Sequence, residues 1–388
     1  MKILIAHNRY QQRGGEDAVA DFEANALRDR GHIVERLTVD NDNIDRLSRK
    51  ILASARSLHN PQSIRLIRAL LEDFRPDVVH FHNTFPTLSP GAVESVLSAK
   101  VPVVQTVHNY RLVCANAQLF RNDAPCNLCI SSTKIEGVIN GCYKSSSIGS
   151  VVSSISAQRL KALYNAKTFL YTLVCLNTFS RDILIQDGFR GDGIVIKGNS
   201  VPDPGLSSSV RSQRAVFVGR LTSEKGVDLL MRIADRLNGM IDVVGDGPAR
   251  SRLAELASSR LKLHGWLPSQ EVLQLIKSAS VLLTPSKWYE GFPIVIAEAL
   301  ACGTPVLASS LGGLPELVEG SGAGWCVPPD LDEEWIRSIN TFLENPALVR
   351  EFGLRGRLAY DTSHSPQSNI DRLIEIYSDA VLTARSLK

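Results

Sequence analysis

Short runs of Val, Ile and Leu alternate along the chain with stretches whose apolar residues recur at helical spacing. Continuous apolar runs read as strands buried on both faces, and such strands belong to parallel sheets covered by helices on each side. In the first half the runs are KILIA (2–6), HIVERLTV (32–39), DVVHFH (77–82), VPVVQTVH (101–108), FLYTLVCLN (169–177) and GIVIKGNSV (193–201). Between the first two, EDAVADFEANALRDRG predicts a helix with Val19, Phe22, Ala26 and Leu27 on one face and Gly31 closing it. The pattern pauses at VPDPGLSSS (201–209), whose Pro, Gly and Ser read as a linker between cores. It then restarts with AVFVGRL, GMIDVVGDGP, LKLHGWL, SVLLTPS and TPVLASS, each followed by a helical segment. The reading is α/β, with two Rossmann-like doubly wound domains facing across a cleft, the first over 1–200 and the second over 201–365. A closing helix over 366–388 caps one of the two and is assigned to the first.

Length agrees with this, since 388 residues exceed one ordinary core. A formal charge of +3 is too small to make nucleic acid the main partner. The start, MKILIAHNRY, has too short an apolar run for a signal peptide, and no run of eighteen apolar residues occurs anywhere. The chain is therefore expected in the cytoplasm, with its seven cysteines reduced.

Candidate chemistry clusters in the second half. FVGRLTSEKGVDLL puts Gly219, Arg220 and Lys225 in a turn between a strand and a helix. Two cations beside the unpaired N–H groups of a helix start suit a diphosphate, and an ordinary loop with a charge pair to Glu224 is the plainer reading. The next strand ends in VVGDGP, where Gly245 and Gly247 let backbone approach a ligand, although no G-x-G-x-x-G is present. In YEGFPIVIAEALACGTP a helix is expected to begin near Pro293 and stop at Gly303, leaving Glu290 before it and Glu298 within it. Carboxylates accept from the adjacent hydroxyl pairs of a ribose or hexose. Cations for phosphates and carboxylates for hydroxyls together describe a nucleotide-sugar site.

VFVGRLTSEKGVDLL, DVVGDGP, LHGWLP, the E-x7-E arrangement EGFPIVIAE, ALACGTPVLAS and GGLPELV, in this order over 215–329, resemble the retaining family 4 glycosyltransferases of GT-B fold. The resemblance implies that Arg220 and Lys225 hold the donor's diphosphate, that Glu298 takes the ribose hydroxyls and that Glu290 takes the transferred sugar. The backbone of Gly291, Phe292 and Pro293 would line the sugar pocket. In HNRYQQRGGED, Gly14 and Gly15 are similar to the family's glycine loop near phosphate and acceptor, with a plain flexible turn as the other reading. His108 matches a histidine that reaches the reacting sugar, and Asn109 follows it where many relatives have Asp. His80 and His82 share one face of their strand and read either as acceptor contacts or as satisfied histidines of a sheet edge. The implied reaction retains anomeric configuration and needs no metal or other cofactor, and no DxD-type pair stands where one would be expected. A nucleotide-sugar epimerase of the same architecture and a non-catalytic nucleotide-sugar-binding protein are the other readings.

Cys114, Cys126, Cys129 and Cys142 lie in an insertion over 110–145 and fit a structural zinc site, with free thiols or a redox pair as alternatives. Arg46, Arg49, Lys50, Arg56, Arg65, Arg68 and Arg75 outnumber the acids of 43–75, and Lys134, Lys144, Arg159, Lys161 and Lys167 face Glu136 alone in 134–167. Such helices either rest on an anionic membrane or present solvated faces. The first option fits a lipid-linked rather than a free glycan acceptor and work at the inner face of a membrane.

Overall fold

The computed structural model describes residues 1–9, 14–39, 56–206, 211–255 and 260–386. Arg46, Arg49 and Lys50, the middle of the glycine-containing loop and the serines of 207–209 lie outside these residues. The chain divides into two units: Met1–Leu119 with Cys126–Gly198 and Ile370–Lys388, and Asn199–Asn369 with Phe120–Pro125.

The first unit is built on a parallel sheet of β1 (Lys2–Asn8), β2 (Ile33–Val39), β3 (Val78–Asn83), β4 (Val103–Val107), β7 (Tyr171–Cys175) and β8 (Ile194–Ile196). Their order is β2-β1-β3-β4-β7-β8, and the direction of winding reverses between β1 and β3. Ile3, Ile5, Val78, Val104 and Val174 form one face of this core, and the helix Pro366–Arg385 packs Ile370, Leu373, Ile376 and Tyr377 onto it. Helix Gly15–Asp29 buries Val19, Ala20, Ala24 and Leu27, and it ends before Gly31 at φ +79°. Two strands that the apolar pattern does not announce, β5 (Phe120–Arg121) and β6 (Ala124–Pro125), form a small antiparallel hairpin within the cysteine-containing segment; Phe120–Pro125 belongs to the second unit, so the insertion over 110–145 is not wholly part of the first.

The second unit carries β9 (Ser212–Val218), β10 (Met240–Val244), β11 (Leu261–Gly265), β12 (Ala279–Thr284), β13 (Val306–Ser309) and β14 (Gly324–Val327). Their order, β11-β10-β9-β12-β13-β14, is that of a dinucleotide-binding sheet, with the switch between β9 and β12. β14 escapes the sequence reading because GWCV is too short a run to separate from its turn. The expected linker is also revised. Val201 is buried in the second core, and its carbonyl accepts from the Tyr360 hydroxyl at 2.9 Å, so the chain is already part of that unit at VPDPG.

Gly245 follows β10 at φ +134°, and a Cβ there would lie 1.9 Å from the carbonyl oxygen of Gly219. The close approach that this glycine permits is therefore to the turn after β9, whichever ligand also visits it. Gly245→Ala is expected to lower stability by at least about 2 kcal/mol, read as a lower urea midpoint at unchanged slope.

Candidate active site

In a doubly wound sheet the loops leaving the two strands at the switch point diverge and leave a crevice at their carboxyl ends. In the second unit those loops follow β9 and β12, and they carry Gly219 to Lys225 and Pro285 to Pro293. After β9 the Gly219 amide bonds back to Val244 O at 3.0 Å, a single 3-10 turn Ser223–Lys225 follows, and Gly226 turns left-handed into helix Val227–Ile233. A side chain at Gly226 would collide with Pro285 O at 1.8 Å, so the two loops are packed backbone to backbone.

That packing brings Lys225 and Glu290 into contact. Lys225 Nζ lies 2.7 Å from Glu290 Oε1, the Ser286 hydroxyl donates to the same oxygen at 2.6 Å, and the ammonium stands 5.1 Å over the Trp288 ring. Glu290 is buried. Burial pushes its carboxyl up, but the Lys225 charge and hydrogen bonds from Lys225, Ser286 and Trp288 outweigh this and hold it below its ordinary range. Arg220 is different. Its side chain is 64% exposed and reaches Glu224 only at 3.4 Å, the pairing expected of an ordinary loop.

Gly291, Phe292 and Pro293 follow, all partly buried, and Pro293 caps helix Ile294–Ala301, which ends before Gly303 at φ +66°. Glu298 sits one helical stretch on from Glu290 in the opposite electrical state. Its carboxyl has no hydrogen-bonding or ionic partner among the described residues, and burial raises it to about 7. One glutamate is thus ionised and paired while the other is poised to lose or gain a proton near neutrality.

The first unit holds a second constellation at its own switch point. β1 ends in His7 and Asn8 beside β3, which ends in His82 and Asn83, and Asn83 donates to Asn8 O at 3.0 Å. His108 follows β4 and pairs through Nε2 with His82 Nδ1 at 3.0 Å, the two rings stacked at 5.3 Å. His82, His108, Asn109 and Arg111 line one recess. His80 is a satisfied core histidine, bonded to Tyr377 Oη at 2.7 Å and Thr106 Oγ1 at 2.8 Å. Burial lowers His7, His80 and His82 and takes His108 down to about 3, so this cluster is neutral at ordinary pH.

Three charged residues behind the cluster do not emerge from motif reading. Glu23 pairs with Lys197 at 2.8 Å, and Asp17 bonds His7 Nε2 and the Gly14 amide, each at 2.7 Å. The available signal was two carboxylates at helical spacing on the apolar face of Gly15–Asp29. Gly14 itself is extended, so its residue type is not imposed by a left-handed turn. Asn109 donates to Glu16 Oε1 at 2.7 Å, which an aspartate could not do.

Glu23, His80 and His82 bring three ligand atoms within 4.8 Å of one another, the only such group of three among the described residues. The Lys197 ammonium already answers the Glu23 charge there, and both His80 nitrogens are engaged. The four sulfurs of the insertion are not gathered in that way. Cys114 Sγ donates to Asn116 Oδ1 at 2.9 Å, and burial with the neighbouring Cys114 pushes the Cys129 thiol up to about 11.

Two family models match the chain: "Glycosyl transferase 4-like domain" over residues 14–127 and "Glycosyl transferases group 1" over 207–359. D-inositol 3-phosphate glycosyltransferase of Mycolicibacterium smegmatis is 28% identical over 299 residues, 74% of this chain and 64% of the relative. Alpha-maltose-1-phosphate synthase of the same species is 29% identical over 202 residues, 45% of this chain and 52% of the relative. The match thus spans about half to two thirds of the length of these relatives. Among solved structures, HepE of Anabaena in complex with UDP shares the fold at a TM-score of 0.69 and 18% identity, covering 97% of this chain and all of the other.

The histidine cluster makes a sign-definite prediction. The unfolded chain takes up protons below a histidine's ordinary value of about 6.5, whereas His108 refuses one until about 3. Stability is therefore complete above that ordinary value and is lost as pH falls toward the depressed one. The contribution is at most about 1.4 kcal/mol per pH unit. Urea unfolding across this range should show a shallower pH slope in His108→Asn than in the parent chain.

Proposed function

Because the chain belongs to the family 4 glycosyltransferases of GT-B fold, we propose that it moves a sugar from a nucleotide-sugar donor to a glycan or lipid-linked acceptor with retention of anomeric configuration. We place this transfer in the synthesis of a surface polysaccharide or glycolipid, at the inner face of a membrane. The contact of Lys225 with Glu290 carries the reading. In a nucleotide sugar, the bond that breaks joins the sugar to the terminal phosphate. A cation for the phosphate and a carboxylate for the sugar must therefore be neighbours, and the pair at the β9–β12 switch meets that requirement. HepE was also solved with UDP-glucose, which supports the donor class.

In this mechanism Lys225 turns part of its charge from Glu290 to the diphosphate, and the exposed Arg220 swings in to grip it. The freed Glu290 oxygen accepts from a sugar hydroxyl, while Glu298 accepts from the ribose pair. The acceptor oxygen attacks the anomeric carbon from the face that the diphosphate leaves. The bonding pair departs with the phosphate oxygen, and that oxygen takes the acceptor's proton. Charge accumulates on the diphosphate in the transition state, where the two cations stabilise it. His108, neutral and held by His82, offers a hydrogen bond to the sugar and no charge. No metal is assigned a role.

Incubation with a panel of nucleotide sugars and acceptors tests this directly. Acceptor-dependent release of nucleoside diphosphate is expected, reduced at least about a hundredfold in Glu290→Gln. Undiminished turnover in that variant removes the assignment, a changed sugar without acceptor marks an epimerase, and binding without turnover marks a sensor. Donor affinity should also fall as pH drops through about 7, because protonated Glu298 loses an acceptor site. Calorimetry should find this dependence flattened in Glu298→Gln.

A further inference from the structure

Helix Ser147–Ala166 is apolar on the side where a surface helix is normally polar. Val152, Ala157, Leu160 and Tyr164 bury one face. The opposite stripe is led by Ile148, Val151 and Ile155, which are 69%, 38% and 45% exposed. The neighbouring short helix Ile135–Ile139 adds Ile135 at 52% and Ile139 at 70%. The two elements pack together, and on the same stripe Gln158 Nε2 bonds to Thr133 O at 2.8 Å, immediately ahead of the short helix. Five branched side chains thus form one exposed apolar surface of the first unit, larger than scattered surface residues produce.

Charge around the surface selects what covers it. No Asp or Glu occurs between Glu136 and Asp182, a span that carries Lys144, Arg159, Lys161, Lys167 and Arg181; Arg159 pairs with Glu94, Lys161 with Asp187 and Arg181 with Asp182, so Lys144 and Lys167 carry the net charge there. Lys144 is exposed four residues before Ile148, and Lys167 is exposed just past the helix end. Arg159 bonds Leu58 O at 3.2 Å, tying the helix to the segment that leads into Pro61–Asp73, where Arg65 and Arg68 are exposed. No described helix is long and apolar enough to cross a bilayer. Branched apolar side chains with flanking cations, on helices not apolar enough to span, match the headgroup boundary of an anionic bilayer.

We propose that the surface formed by Ile135, Ile139, Ile148, Val151 and Ile155 docks the first unit onto an anionic lipid surface. This deepens the lipid-linked reading of the acceptor and rests on it for its purpose, whereas the docking itself is read without donor or acceptor.

Flotation of the full chain with vesicles of phosphatidylcholine containing phosphatidylglycerol, against phosphatidylcholine alone, tests it. The parent chain should float with the anionic vesicles and bind neutral ones at least about tenfold more weakly. The triple variant Ile148→Glu, Val151→Glu, Ile155→Glu should lose at least about tenfold in anionic binding. The matched change Leu354→Glu, Leu358→Glu, at exposed apolar sites of the second unit, should bind like the parent. Independently of how the triple variant folds, Ile139→Trp should add emission that shifts to the blue when anionic vesicles are present. Equal binding to both vesicles, no binding by the parent, unchanged binding by the triple variant or an unshifted Ile139→Trp overturns the proposal. So does sedimentation showing a parent dimer that the triple variant abolishes, which would assign the surface to a second copy. Calorimetric donor binding separates the two readings, since its absence in a vesicle-binding chain sinks the transfer reading alone.

Discussion

A carboxylate taken out of water must be met by a positive charge or give up its own. In the second unit this requirement binds two loops, far apart in sequence, at one point. Glu290 is buried after β12, and the cation that answers it, Lys225, comes from the turn after β9. The strand order makes the meeting unavoidable, because β9 and β12 are neighbours at the winding reversal. Gly226 makes it tight, since any side chain there would strike Pro285. The same pair carries the proposed reading, in which a sugar diphosphate would draw both of its contacts from it.

The first unit solves a related problem with neutral groups. His7, His82 and His108 converge at a switch point where burial removes their charge, while Glu23 and Lys197 cancel one another behind them. One hydrogen bond joins His82 to His108, and Asp17 holds His7 through its Nε2. The three rings are uncharged at neutral pH. Lys197, held by Glu23, also explains why a ligand set of one carboxylate and two histidines has no need of an ion for charge balance.

Much of this was legible in the amino-acid order. Apolar runs located every strand of both sheets except β14; the central strands are buried on two faces and leave an uninterrupted signature, whereas the edge strands β2 and β11 are interrupted by polar residues. Pro293 and Gly303 bracketed the helix that bears Glu298. What stayed hidden depended on pairing across distance. Nothing local marks Lys225 and Glu290 as partners, since 65 residues separate them. Glu23 and Asp17 lie among the apolar positions of their helix, and only the fold supplies the buried histidines that are their neighbours. The residues around Val201 looked like a connector because Pro and Gly are common both in linkers and in the first extended turn of a packed unit.

The helix Pro366–Arg385 contributes Ile370, Leu373, Ile376 and Tyr377 to a core otherwise made from the first 198 residues, and Tyr377 holds His80 in place. During synthesis the ribosome delivers that helix only after the whole of Asn199–Asn369. The sheet that carries the histidines must therefore wait, with one apolar face open, while the whole intervening unit is made and can fold ahead of it. Order of manufacture and order of completion are therefore reversed between the two units.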